Sequence, residues 1–506
     1  MEYKVDAGAV ERWGVFEITL NGKTGGNPFT DYDIRGTFKH KNHTAEAGGF
    51  YDGDGVYKVR FMPSFEGRYS FTIDGTAIDG AVEGGFDSLP PAPGNRGPVR
   101  VSDGFHFSYE DGTPYIPLGT TCYAWAHQKD ELQEETLESL KNSPFNKIRF
   151  CVFPKHYIYN LHEPASYPYV GTPCDRSGVT AENFSHETKF PDNDWDFSRF
   201  NTDHFRRIEK RIIDLMGLGI EADVIMMHPY DCWGFSDMGA EADDLYWNYA
   251  VNRFSAYRNI WWSFANEFDL MGSKTVSDWE RYASIVCSRD PYNHLRSIHN
   301  CAYFYDHSRP WVTHCSVQRQ DIRMIVEYTD IWREQYRKPV VLDEICYEGN
   351  IPYGWGNISA RELIRRFWES VCRGGYPGHG ETYAHPEDIL WWSHGGKLHG
   401  ESPARIAFLK RVLDEVPGRR LRVTHRWSDG VAAMPDRFID SGDFYLIYLG
   451  LKRPVSKRFR TSGDERYKIE IIDTWNMTIS DAGVHSGDFE IGLPGREYMA
   501  VRMVRQ

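Results

Sequence analysis

Two apolar runs in this chain end in carboxylates. Ile260–Ala265 is followed at once by Asn266 and Glu267, and Val340–Glu344 closes on Asp343 and Glu344. Runs of this length and composition read as strands buried on both faces, the kind used in parallel sheets. In barrel enzymes the C-terminal tips of such strands carry the reacting groups. Two carboxyl groups at two strand tips are the equipment for cleaving a glycosidic bond. With retention, one attacks the anomeric carbon and the other protonates the departing oxygen, about 5 to 5.5 Å away. Taken singly, a strand-tip carboxylate is more often a cap or an ion-pair partner; the pairing of Glu267 with Glu344 is what favours catalysis. Asp343 should point away from Glu344 on an extended strand, and Glu348 falls in the loop beyond, so both are weaker candidates.

Other residues at expected strand ends could serve a sugar. They are His228, Tyr230 and Asp231 after the third strand, His299 and Asn300 after the fifth, His314 in the sixth, and His379 and Glu381 at the eighth. For His228, His299 and His314, substrate hydrogen bonding and an ordinary core position are equally good readings. Trp391 or Trp392, just past the eighth strand, would give the C–H face of a sugar ring a flat floor. Trp261 or Trp262 would be the apolar neighbour that helps keep an acid protonated, although consecutive strand residues face opposite sides and at least one of the two belongs in the core.

Holding these groups takes a scaffold, and the hydrophobic period changes twice along the chain. Over residues 1–90 apolar residues alternate with polar ones, as in Phe16, Ile18, Leu20 and Tyr57, Val59, Phe61, which predicts a small antiparallel sandwich. Residues 91–104 have the Pro/Gly composition of a linker. From 105 to 416 a hairpin around Asp111 and Gly112 leads into alternating strand and helix patterns. Strands are expected near 119–125, 147–153, 220–227, 260–265, 295–300, 312–316, 340–344 and 375–382. Helix 203–216 would put Phe205, Ile208, Ile212 and Leu215 on one face and stop at Gly217 and Gly219, and 321–336 repeats the arrangement. Eight strands with crossover helices make a (β/α)₈ TIM barrel of the α/β class. Residues 154–195, rich in Tyr and His, predict a loop over its mouth. From 417 to 506 period two returns as a second sandwich.

Composition bounds the function. At 506 residues the chain is too long for one core. A net charge of −14 argues against nucleic acid and anionic membrane as partners. No apolar segment approaches a membrane span. The 16 Trp and 30 Tyr suit stacking on sugars as well as packing. Nine cysteines without a Cys-x-x-Cys pair, and a first segment without basic or apolar signal character, predict a reduced, cytoplasmic protein. The expected partner is a carbohydrate substrate, no cofactor or metal is expected, and self-association into a homo-oligomer stays open.

With Asn266–Glu267 at the fourth strand tip and Glu344 at the seventh, the sequence resembles the clan of retaining glycoside hydrolases with (β/α)₈ barrels. It looks still more like a bacterial group with a small N-terminal sandwich, a glycosidase-like barrel and a C-terminal sandwich. The stretches from Gly49 to Gly53 (GFYDG), Trp195 to Ser198 (WDFS), His228 to Asp231 (HPYD) and Asp473 to Thr478 (DTWNMT) carry that second likeness. The resemblance implies that Glu267 is the acid/base, Glu344 the nucleophile, Asn266 the holder of the sugar 2-hydroxyl, and Arg149 a hydrogen-bond donor that keeps the nucleophile ionised. One departure stands out: the sixth strand lacks the Tyr that usually contacts the nucleophile, leaving His314 or a Tyr from elsewhere to substitute.

Two other functions compete. A metal-dependent hydrolase would use the 19 His, but it wants a close His pair at the first strand tip, where the chain has Thr121, Cys122, Tyr123, Ala124 and Trp125. A non-enzymatic carbohydrate-binding protein would use the flanking sandwiches, but would have no need of an intact carboxylate pair. The sugar is left open between a hexose, an arabinose-like furanose and a branched sugar such as apiose. The mouth loop favours exo-action from one chain end.

Overall fold

The computed structural model describes every residue except 1, 2, 6, 7, 187, 189, 191, 320, 322, 385–389, 428 and 437–439. Its centre is a ring of parallel strands: β1 Gly119–Thr121, β2 Lys147–Cys151, β3 Glu221–Met227, β4 Ile260–Ala265, β5 Leu295–Ser297, β6 Cys315–Gln318, β7 Val340–Glu344 and β8 Tyr376–His379. Pairing runs unbroken from β5 through β4, β3, β2, β1, β8 and β7 to β6, and a parallel bridge between His299 and Ser316 closes the circle. The protein is a (β/α)₈ TIM barrel flanked by two β-sandwich domains.

Among the described residues seven helices of eight or more residues surround the ring: α1 Asp130–Lys141, α2 Thr202–Gly217, α3 Ala240–Phe254, α4 Val276–Arg289, α5 Thr329–Tyr336, α6 Ala360–Cys372 and α7 Ser402–Asp414. Among the described residues the crossover from β5 to β6 has none. Every residue of β4 is buried because helices cover one face and the barrel interior the other. In α2, Asn201 caps the first turn by accepting from the Asp203 N–H, and the four expected apolar residues are buried. The helix expected over 321–336 is regular only from Thr329, after a 3₁₀ turn over Val326–Tyr328; residue 322 lies outside the described set. The Thr329 hydroxyl donates to the Val326 carbonyl at 2.6 Å across that turn.

Part of the expected linker is structured. Val99–Ser102 pairs antiparallel with His106–Tyr109, which pairs in turn with Pro114–Tyr115. The apolar residues of this sheet close the barrel floor, with the Phe107 ring 5.2 Å from Trp261 and 5.3 Å from Tyr376.

The eight N-terminal strands form one hydrogen-bonded sheet whose faces close on a core of Phe16, Phe38, Phe61, Phe71 and Phe86. Buried ions bind it to the barrel: Arg60 reaches Glu209 of α2 at 2.7 Å, and Asp52 accepts from Arg253 of α3 at 2.7 Å. On the other side a six-stranded sheet and a two-stranded ribbon make the C-terminal sandwich. Its Trp475 ring lies under two guanidinium groups, Arg405 of α7 at 3.7 Å and Arg361 of α6 at 4.3 Å. Two of the stretches that carry the sequence likeness, around Asp52 and Trp475, are therefore seams between domains. No helix among the described residues is long and apolar enough to cross a membrane.

Candidate active site

The barrel interior is layered from floor to mouth. Above Phe107, Lys147 lies between Asp223 (2.5 Å) and Asp343 (2.9 Å), and Ser316 donates to Asp343 at 2.5 Å. Burial alone would push Asp343 up, but Lys147 and Arg149 outweigh it and hold the carboxyl below the usual range. This buried charge set orients Arg149, whose Nε lies 3.8 Å from Asp343 and 3.9 Å from Asp223. Its other nitrogens then point towards the mouth.

There the two expected carboxylates face one cavity of about 170 Å³. Glu267 reaches it through a sharp turn: φ 53° and ψ 56° put it in the left-handed region, uncommon for a residue with a side chain. Its neighbours hold the turn, Asn266 N–H donating to Met227 O at 3.0 Å and Phe268 N–H to His299 O at 2.9 Å. Gln318 Nε2 donates to Glu267 Oε1 at 2.7 Å, and the Tyr230 hydroxyl donates to Oε2. Glu344 Oε1 accepts from the Tyr123 hydroxyl. The same hydroxyl lies 3.0 Å from Asn266 Oδ1, and Asn266 Nδ2 lies 3.3 Å from Glu267 Oε2. One phenol and one amide thus bridge the pair. Burial, then the Glu267 charge, push Glu344 up to about 7 against the pull of Arg149 and Tyr123.

Arg149 differs from the implied arrangement. Its guanidinium donates to the Tyr123 hydroxyl at 3.4 Å and to Asn266 Oδ1 at 3.2 Å; it meets Glu344 only as an ion pair at 3.7 Å. It reaches the carboxylate through Tyr123, a Tyr from the first strand tip and not from the sixth strand.

Of the other expected residues, Tyr230 and Trp392 line the cavity with Asn266. Six do not, and each is a correction. His228 is buried, its Nε2 3.2 Å from Phe153 O. Asp231 accepts from the Trp233 and Ser236 N–H groups at 2.8 and 2.7 Å and shapes its own loop. His299 is fully buried in the interior near Asp343. His314 sits at the floor, edge-on to Phe107 at 5.7 Å and Trp261 at 5.2 Å. Glu381 accepts from the His399 and Gly400 N–H groups. Trp391 donates to Thr120 Oγ1 at 2.8 Å inside the core. Trp261 and Trp262 are also core, donating to Glu221 and Asp290, so neither is the apolar neighbour of the acid. The rivals are committed elsewhere, Asp343 to Lys147, and Glu348 to the Glu401 and Ser402 N–H groups.

Sequence reasoning passed over other residues that line the cavity, among them Tyr123, Lys155, Tyr157, Gln318, Tyr347 and Trp355. Tyr123 and Gln318 carried a usable signal, since both stand at strand tips. Lys155 carried none. Its ammonium is caged by the rings of Tyr123 at 3.8 Å, Tyr230 at 4.1 Å and Trp392 at 4.7 Å. Burial pulls it down to about 8. Among the described residues no group of three or more His, Cys, Asp or Glu is arranged to hold a metal ion.

A family model described as "Apiosidase-like, catalytic domain" matches residues 102–432. Two families of unknown function, DUF5060 and DUF5605, match residues 9–75 and 428–504. The crystal structure of a "putative glycoside hydrolase" from Bacteroides vulgatus ATCC 8482 is 35% identical, covers 98% of this chain and 100% of its own, and superposes with a TM-score of 0.90. A glycoside hydrolase family 5 structure from the same organism, at 16% identity, covers 82% of this chain and 95% of its own with a TM-score of 0.59. That last likeness is one of fold alone. No curated protein matches the chain.

Proposed function

The chain belongs to the family of apiosidase-like catalytic domains and is a glycoside hydrolase, and from that premise we propose that it is a retaining, exo-acting enzyme removing a terminal branched pentose of the apiose kind. Glu344 would be the nucleophile and Glu267 the acid/base. The observation that carries this reading is the bridge from Glu344 through Tyr123 and Asn266 to Glu267 across one cavity. Both carboxylates line one cavity of about 170 Å³ and the Glu267 charge is felt at Glu344, which supports the close pairing that retention uses.

In the first half-reaction the ionised Glu344 attacks the anomeric carbon while Glu267 gives its proton to the departing oxygen. In the second, Glu267 takes a proton from water, which displaces Glu344 from the sugar. Tyr123 and Arg149 favour the ionised nucleophile, and the Tyr230 hydroxyl can donate to Glu267 when it is ionised or turn and accept from it when protonated. With Asn266 Oδ1 occupied by Tyr123 and Arg149 and one amide N–H directed at Glu267, the second amide N–H would serve the sugar 2-hydroxyl, a bond that tightens in the transition state. Trp392 supplies the stacking floor.

Exo-action rests on size. At about 170 Å³ the cavity is below the roughly 300–1,000 Å³ of sites that engulf a whole ligand, so it suits one ring. The sandwiches 1–90 and 417–506 act as buttresses of the catalytic unit 105–416, as their buried ion and cation–π seams support. The nine cysteines form no disulfide, which supports a cytoplasmic setting.

The test is release from 4-nitrophenyl glycosides, α and β, pyranose and furanose, apiofuranosides included. With azide, Glu344→Ala should form a glycosyl azide of inverted configuration and Glu267→Ala one of retained configuration. The opposite pattern would exchange the two roles, and a product of inverted configuration from the parent enzyme would end the retaining reading.

A further inference from the structure

The cavity wall continues outward. Five aromatic rings touch in a closed circuit: Trp392 to Trp355 at 5.0 Å, Trp355 to Tyr353 at 5.9 Å, Tyr353 to Tyr159 at 6.2 Å, Tyr159 to Tyr157 at 6.1 Å, and Tyr157 to Trp392 at 5.6 Å. Trp392, Trp355 and Tyr157 line the catalytic cavity. Tyr159 lines a second, larger cleft of about 1060 Å³ built from residues 158–181 of the long mouth loop. Tyr353 stands between the two and is 41% exposed. One aromatic surface therefore runs without a break from the reacting groups to the outer cleft.

Packing alone does not account for it. A ring held this far out of the core gives up much of the burial that would stabilise the fold, and Trp355 and Tyr353 lie nearly parallel, 12° apart, as stacked plates. The outer cleft adds fixed polar groups. Arg176 is 4% exposed, its guanidinium 4.5 Å above Trp233 and 2.8 Å from Glu163. Aromatic plates followed by rigid donors and acceptors match a ligand with apolar C–H faces and many hydroxyls.

We infer that this wall and the outer cleft bind the leaving-group side of the substrate, and that the leaving group is an oligosaccharide chain rather than a small aglycone. The inference rests on the hydrolase reading above and extends it from the sugar removed to the chain it is removed from. The catalytic cavity takes the terminal ring; the wall takes the units behind it.

The test compares 4-nitrophenyl apiofuranoside with an apiose-capped tetrasaccharide in the parent, Tyr353→Ala, Tyr159→Leu and Tyr353→Trp. The ratio of kcat/KM on the tetrasaccharide to that on the aryl glycoside should fall about tenfold in the first two variants, through KM, and recover in Tyr353→Trp. A ratio within twofold of the parent in Tyr353→Ala and Tyr159→Leu overturns the inference, because a merely structural role would lower both substrates together. Should the parent hydrolyse neither compound, the apiose reading falls on its own, and calorimetric titration with arabino-, manno- and xylotetraose still decides the cleft. Binding to one of them that weakens about tenfold in Tyr353→Ala supports it; equal affinities, or no binding at all, overturn it.

Discussion

Two pairs of glutamates stand at the mouth of this barrel, and one of them opens onto the cavity proposed as the active site. Glu348 and Glu381 lie on short strands that pair with each other. Their oxygens accept from the backbone N–H groups of His399, Gly400, Glu401 and Ser402 and from the Tyr383 hydroxyl. The four N–H donors belong to the chain leading into α7, so this pair latches a helix start onto the barrel. Glu267 and Glu344 instead accept from side chains, Tyr230, Gln318 and Tyr123, and open onto a cavity. Burial pushes Glu381 and Glu344 alike up to about 7. A raised carboxyl therefore does not distinguish a catalytic pair from a structural one; the identity of the donors and access to a cavity do.

The contrast can be broken most sharply by exchanging loss of activity for loss of stability. Glu344→Gln should lower kcat/KM by about 10⁴-fold and move the urea unfolding free energy by less than about 1 kcal/mol. Glu348→Ala should do the reverse, costing about 2–4 kcal/mol by stranding buried N–H groups while activity on a small aryl glycoside stays within tenfold of the parent. An inactive but fully stable Glu348→Ala would erase the distinction.

A smaller effect is expected at the bridge. Tyr123→Phe removes a donor to a charged group, worth about 1.5–3 kcal/mol, so kcat should fall roughly ten- to hundredfold with KM little changed. If KM rises instead, Tyr123 holds substrate rather than Glu344.

The smallest concerns pH. On the proposed roles activity requires Glu344 ionised and Glu267 protonated at once, so kcat/KM should be bell-shaped, with an acid limb near pH 7, where burial and the Glu267 charge have pushed the Glu344 carboxyl, and a basic limb set by the acid. Lys155 opposes that push. In Lys155→Met the Glu344 carboxyl rises further, and the acid limb should move up by less than one pH unit. An acid limb that stays put would show that the ammonium does not reach the pair electrostatically.

Legibility in the sequence followed the range of the interaction. The barrel strands were readable because their continuous apolar runs reflect burial on both faces, and the sandwich strands because period two survives wherever one face is wet, as at Phe16, Ile18 and Leu20. The linker expected over 91–104 overlooked the strand Val99–Ser102, since four residues beside proline and glycine carry too little pattern to outweigh their neighbours. Among the strand-end candidates, His299 and Glu381 show how position on a strand was mistaken for access to the cavity.

What the sequence determined by itself was local: which runs become strands and helices, and therefore that Glu267 and Glu344 end two strands of one barrel. Which way a strand-end side chain turns was decided by the tertiary structure alone. His228, Asp231, His314 and Trp391 have types and positions as suited to a sugar as those of Tyr230 and Trp392, yet each found its partner in the core or in its own loop. A buried polar group must be paired, and where that partner comes from another strand or loop, as Tyr123 does for Glu344 and Arg149 for Asn266, only the closed barrel brings the two together.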